Sequence, residues 1–150
     1  MQRSNEMELR KSLGTAMDDY DFPAVTYDFV AKTQRVHADM GGVEAAIKQD
    51  LLSDDLEAVK SGLSNVLYWG YARIDYGCRR VNRFRKGVTK KQIAAARTVF
   101  TAIQGPGLRE IHGLDLPEFT RMPFVSKVRT FLNPADYVVL DFKMATKIRD

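Results

Sequence analysis

The sequence predicts an all-α fold, one compact helical domain over residues 1–150. Three observations predict it: apolar residues recur at spacings of three and four along most of the chain, capping residues stand in front of those runs, and glycine or proline closes them. With 150 residues, 45% hydrophobic and 28% charged, the chain is long enough to bury a sizeable core and too apolar to be disordered throughout. No internal repeat or low-complexity stretch argues for a solenoid or a linker.

The elements follow in order. Residues 4–19 place Leu9, Leu13 and Ala16 on one side, a weak stripe expected to end near Asp18-Asp19-Tyr20-Asp21, ahead of Pro23. After that proline, Val25, Phe29, Val36 and Met40 recur at helical spacing until Gly41-Gly42, and a short helix is expected from Val43 to Leu51. The strongest pattern runs from Asp54 to about Tyr76. Asp54 can cap it with Glu57 three residues on, and Leu56, Val59, Leu63, Val66, Gly70 and Ile74 step along one face. Tyr68, Trp69 and Tyr71 widen that face almost all round, which marks this helix as the central, buried one. Thr89-Lys90-Lys91-Gln92 reads as a capping box opening a helix with Ile93, Ala96, Phe100 and Ile103 on one face, closed by Gly105-Pro106-Gly107. Beyond Gly113 the pieces shorten: Pro117 starts a turn, Pro123 begins an element through Leu132, and Asn133-Pro134 stops it. Tyr137-Val138-Val139-Leu140 then leads to Asp141, a cap for a last helix to Arg149; Val138–Leu140 is alternatively a short strand.

Several function classes are excluded. The longest apolar run, Val66 to Ala72, falls well short of the ~20 residues a membrane helix needs, and Met1 to Leu13 lacks the apolar segment of a signal peptide. The lone Cys78 can form neither an internal disulfide nor a cysteine zinc cluster, so a reducing, cytoplasmic setting is expected. His37 and His112 are the only histidines and have no nearby ligand partners, so neither a metal nor a cofactor is expected. Asp18, Asp19 and Asp21 lack the glycine and distal glutamate of a calcium loop, and Gly105-Pro106-Gly107 lacks the Lys-Ser/Thr of a phosphate loop.

Charge is the more informative feature. The formal net charge of +4 conceals an asymmetry: residues 1–60 carry 7 basic and 12 acidic side chains (−5), and residues 61–150 carry 16 and 7 (+9). Arg73 to Lys91 concentrates Arg73, Arg79, Arg80, Arg83, Arg85, Lys86, Lys90 and Lys91 against one acid, Asp75. If Cys78 to Lys86 is helical, Arg79, Arg83 and Lys86 share one face while Cys78, Val81 and Phe84 share the other, so a basic ridge is anchored to the core. Arginine donates in a planar fork that suits phosphate, and neutralising phosphates releases counterions that drive binding. DNA, most readily duplex, is the expected partner, against the plainer alternative of a solvated face with local carboxylate partners.

The stretch Pro123-Phe124-Val125-Ser126-Lys127-Val128-Arg129-Thr130-Phe131-Leu132-Asn133-Pro134-Ala135-Asp136-Tyr137-Val138-Val139-Leu140-Asp141 resembles the helix-hairpin-helix DNA glycosylase superfamily and its uncharacterised prokaryotic relatives. There a hairpin leads into a helix, an Asn-Pro or Asp-Pro turn, a Tyr-containing apolar run and an aspartate. The resemblance covers about 30 residues, from Leu114 to Ala145. It implies a helix-hairpin-helix segment whose hairpin amides, near Arg121, bind a DNA phosphate. It also implies cleavage of the N-glycosidic bond of a flipped base, with Asp141 as the carboxylate that stabilises the positive sugar. Counting back from Asp141 without gaps puts the family's Leu-Pro-Gly-Val-Gly hairpin on Pro117, Glu118, Phe119, Thr120 and Arg121, so its glycines fall on Phe119 and Arg121. Pro123 then stands where bifunctional members carry a Schiff-base lysine. Lys127, about one turn further on, is the candidate amine, or else a phosphate-contacting or surface lysine. Members of the superfamily continue past the aspartate-capped helix, so the resemblance further implies a reduced relative or a piece of a longer chain.

Two alternatives stay open. One is a nucleic-acid binder that kept the fold and lost the pocket. The other is a helical interaction module in which the acidic first part and the basic remainder neutralise each other within or between chains.

Overall fold

The computed structural model describes residues 23–71, 78–103 and 105–133. The stretches expected to form the first helix (4–19), the end of the central one (72–77) and the segment containing Asp141 (134–150) lie outside the described residues. What is described is mostly helical. Six helices and one two-stranded antiparallel sheet follow each other along the chain: β1 (Val25–Asp28), β2 (Thr33–Val36), α1 (Met40–Leu51), α2 (Leu56–Gly70), α3 (Arg79–Gly87), α4 (Lys90–Phe100), α5 (Leu108–His112) and α6 (Met122–Leu132). Among the described residues no helix is long and apolar enough to cross a membrane.

The sheet corrects the all-α expectation. Residues 25–36 are rich in β-branched and aromatic side chains, and they pair as a hairpin with Val25 opposite Val36 and Asp28 opposite Thr33. Local hydrogen bonds form the turn: the Asp28 carboxylate accepts from the backbone N–H groups of Val30 and Ala31, and Lys32 adopts a left-handed φ of 55°. These bonds hold the Asp28 carboxyl below its usual range. The outer edge of β1 is closed by a side chain. Asn65 on α2 accepts from the Tyr27 N–H at 2.6 Å and donates to the Tyr27 carbonyl at 3.1 Å, as a neighbouring strand would.

Asn65 is 5% exposed, and removing its amide leaves two part-buried backbone groups of Tyr27 without their partner. Asn65→Ala is expected to cost about 2 kcal/mol in chemical denaturation. It should also speed hydrogen exchange at the Tyr27 amide ahead of the α2 amides.

Helix α2 is the centre of the structure, touching β1, α1, α3, α4 and α6. Val59, Leu63, Val66 and Leu67 are completely buried on it. Two glycines let its neighbours close in. A Cβ on Gly62 would come within 3.0 Å of the Leu51 backbone nitrogen, and one on Gly70 would meet the Phe124 ring at 2.7 Å. The N-cap is Asp55, whose side chain accepts from Glu57 N–H, and not Asp54 as the sequence suggested; Asp54 instead pairs with Arg97 of α4 at 2.6 Å. Gly41 and Gly42 likewise lie in the first turn of α1, behind the Asp39 cap, and do not stop a helix.

The expected capping box at Thr89 and Gln92 is present, with Ile93, Ala96 and Phe100 buried below it. Ile103 is fully exposed because α4 ends at Phe100 and the chain leaves helical phase. Gly105, with φ of 68°, turns the chain toward α5. Pro123 stands in the first turn of α6, where its missing N–H has no helical partner to lose.

Candidate functional site

Helix α3 builds the candidate site because its two sides differ so sharply. Val81 and Phe84 are buried, and the Phe84 ring meets Phe119 edge to face at 5.4 Å. Arg79, Arg80, Arg83 and Lys86 are all exposed on the remaining surface, and no acid occurs anywhere in the helix. Like charges four apart, such as Arg79 and Arg83, disfavour a helix by a few tenths of a kcal/mol. A surface helix stabilised for its own sake would interleave carboxylates. Two residues separate α3 from α4, whose first turn adds exposed Lys90 and Lys91 and again no acid. There the positive end of the helix dipole reinforces the lysines, which destabilises the turn but strengthens its field toward an anion.

The segment 113–121 flanks this surface. Pro117 lies against Gly87, Leu116 and Phe119 are buried, and Glu118 between them reaches back to α3. Its carboxylate lies 3.6 Å from an Arg80 guanidinium nitrogen and 3.9 Å from one of Arg83. Glu118 is only 17% exposed at the side chain, against 44% and 59% for the two arginines. Its backbone is left-handed, with φ of 67°, a conformation that costs a non-glycine residue about 1 to 3 kcal/mol. Exposed ion pairs of this length contribute at most about 1 kcal/mol each. Arg121, exposed, follows at the N-cap of α6.

The other predicted site residues separate from this surface. Arg85 leaves the ridge because it follows Phe84 directly and stands one turn beyond Val81, on the edge of the buried stripe. Its guanidinium lies 4.1 Å from the Phe29 ring centre and donates to the Ser64 hydroxyl at 3.0 Å. Burial pulls its pKa down, and the charge of Glu57 opposes that. Lys127 is not a surface lysine. It is 2% exposed on α6, beside Gly70, with Nζ 4.4 Å from the Phe124 ring centre. Asp141, the expected carboxylate, lies outside the described residues.

Arg85 also lines a cleft of about 320 Å³ between the hairpin and helices α1 and α2, together with Phe29, Asp50, Ser61 and Asn65. Burial pushes the Asp50 carboxyl above its ordinary 3.8, partly offset by Arg35. A carboxyl raised in the folded state favours folding fully below its unfolded value and loses that contribution as pH rises through the raised one. Asp50→Asn is therefore expected to be more stable than wild type at neutral pH. The difference should vanish in denaturant titrations below about pH 3.8.

The sequence did not single out Glu118. The left-handed positions of the segment are Asp115 and Glu118, not Phe119 or Arg121, the latter having φ of −94°. Among the described residues no cluster of His, Cys, Asp and Glu is arranged to hold a metal. No family model matches the chain, and no curated protein and no solved structure matches it either.

Proposed function

We propose that this chain is a nucleic-acid-binding helical domain, cytoplasmic and acting on duplex DNA, that grips backbone phosphates with α3, the first turn of α4 and the turn before α6. The observation that carries this reading is the joint exposure of Arg79, Arg80, Arg83, Lys86, Lys90 and Lys91 on a surface fixed by the burial of Val81 and Phe84. Phosphate contacts of this kind position a duplex without reading its sequence. The opposing view, that the basic residues are neutralised within the domain, has support at Arg97–Asp54 and at Glu118; among the described residues no ion pair of Arg79, Lys86, Lys90 or Lys91 adds to it.

Fluorescence anisotropy of a labelled duplex across about 50 to 200 mM salt tests it. Affinity falling steeply and linearly on a log-log plot supports the reading. Undetectable or salt-independent binding removes it.

A catalytic reading stands beside it. Helix α5, the left-handed turn at Glu118 and α6 come in the order of a helix-hairpin-helix, and α5 packs on α6. This supports the resemblance to base-excision glycosylases. Asp141 would then stabilise the positive sugar as the base leaves, and the burial of Lys127 favours water over an amine as nucleophile. Product formation on a panel of damaged-base duplexes, by wild type and not by Asp141→Asn, is the expected result. No product from any duplex with wild type removes the catalytic reading and leaves the binding one.

A further inference from the structure

We infer that the pair Arg80–Arg83 is a seat for one backbone phosphate and that the Glu118 carboxylate is its built-in competitor. The inference deepens the nucleic-acid-binding reading and rests on it. Two guanidinium groups one helical turn apart converge on a single carboxylate at 3.6 and 3.9 Å, an anion held between two forks. Both distances exceed hydrogen-bond length and both arginines are substantially exposed, so the pairs are weak and an incoming phosphate can replace the carboxylate. The position is fixed rather than incidental. Leu116 and Phe119 are 1% exposed on either side and hold the turn against the core while the Glu118 side chain reaches α3. A glycine would adopt φ of 67° freely, yet the chain places an acid there, inside its most basic surface. Glu118 thus lowers affinity for polyanions in general and leaves the seat open to a ligand that can present a phosphate at that point.

The test compares wild type, Glu118→Gln, Arg83→Ala and the double variant for binding of a labelled DNA duplex and of inorganic pyrophosphate. Glu118→Gln is expected to bind duplex about 5-fold tighter near 0.1 M salt, with a log-log salt slope steeper by about 0.9, one additional phosphate neutralised. Arg83→Ala should weaken wild type and, in the Glu118→Gln background, cancel the gain as well, a non-additivity that a structural role of Glu118 would not produce. Pyrophosphate should shift the Arg83 guanidinium resonances more strongly in Glu118→Gln than in wild type. Glu118→Gly, which suits the left-handed backbone, serves as the second variant and should show the same gain. Equal affinity and slope in wild type and both Glu118 variants, with wild type still binding duplex, overturns the seat and leaves the binding reading standing. Pyrophosphate binding without duplex binding upholds the seat and overturns the polynucleotide reading, and binding of neither overturns both.

Discussion

Phe84→Ala is expected to lower the stability of the domain by about 3 to 5 kcal/mol, the usual cost of emptying a fully buried aromatic site. Phe84 is completely buried and carries the edge-to-face contact with Phe119, so the truncation opens a cavity between α3 and the segment before α6. A domain of this size has roughly 5 to 15 kcal/mol in total, so a large fraction is at stake. Chemical denaturation measures the loss directly. Phe84→Leu, which retains most of the volume, should lose less than half as much, and a loss under about 1 kcal/mol for the alanine variant would contradict the packing described for α3. Because the same side chain anchors the basic ridge, duplex affinity should fall with stability even though no charge changes.

The second large effect concerns charge. Arg79 and Lys86 are exposed on the same helix face, and the ion pairs of Glu118 run to Arg80 and Arg83 instead. Arg79→Ala with Lys86→Ala is expected to weaken duplex binding by tenfold or more near about 0.1 M salt and to flatten the log-log slope by about 2, while leaving denaturation unchanged within about 0.5 kcal/mol. Arg85→Ala should behave oppositely. That side chain packs on Phe29 and bonds Ser64, so its loss is expected in stability and not in the salt slope.

These contrasts show which features can be read from residue order. The helices were legible wherever apolar periodicity and a cap agreed: Thr89 with Gln92 specifies the start of α4, and the face Val59, Leu63, Val66 specifies α2 as the buried centre. The hairpin departs from the helical expectation, which rests on the long-range helical period of Val25, Phe29, Val36 and Met40. The local alternation of Val25, Tyr27 and Phe29 carried the competing signal, and a side chain 38 residues away, Asn65, completes the pairing of β1. Tertiary contacts of that kind override local pattern.

The candidate surface was legible in the same partial way. The segregation of Arg79, Arg83 and Lys86 from Val81 and Phe84 follows from helical geometry. The departure of Arg85 toward Phe29 does not follow from it, nor does the burial of Lys127 against Phe124 or the arrival of Glu118 between two arginines, because each depends on where another element lies.

The central claim is that α3 and its neighbouring turns bind a phosphate backbone, and the salt dependence of duplex binding tests it most directly. Arg79, Lys86, Lys90, Lys91 and Arg121 are five exposed cations outside the Glu118 pairing, which corresponds to a log-log slope of about −4 to −5 on duplex DNA for the wild-type chain. A slope in that range, flattened by loss of Arg79 and Lys86, is the predicted result. A slope near zero, or one that those substitutions leave unchanged, would contradict the account.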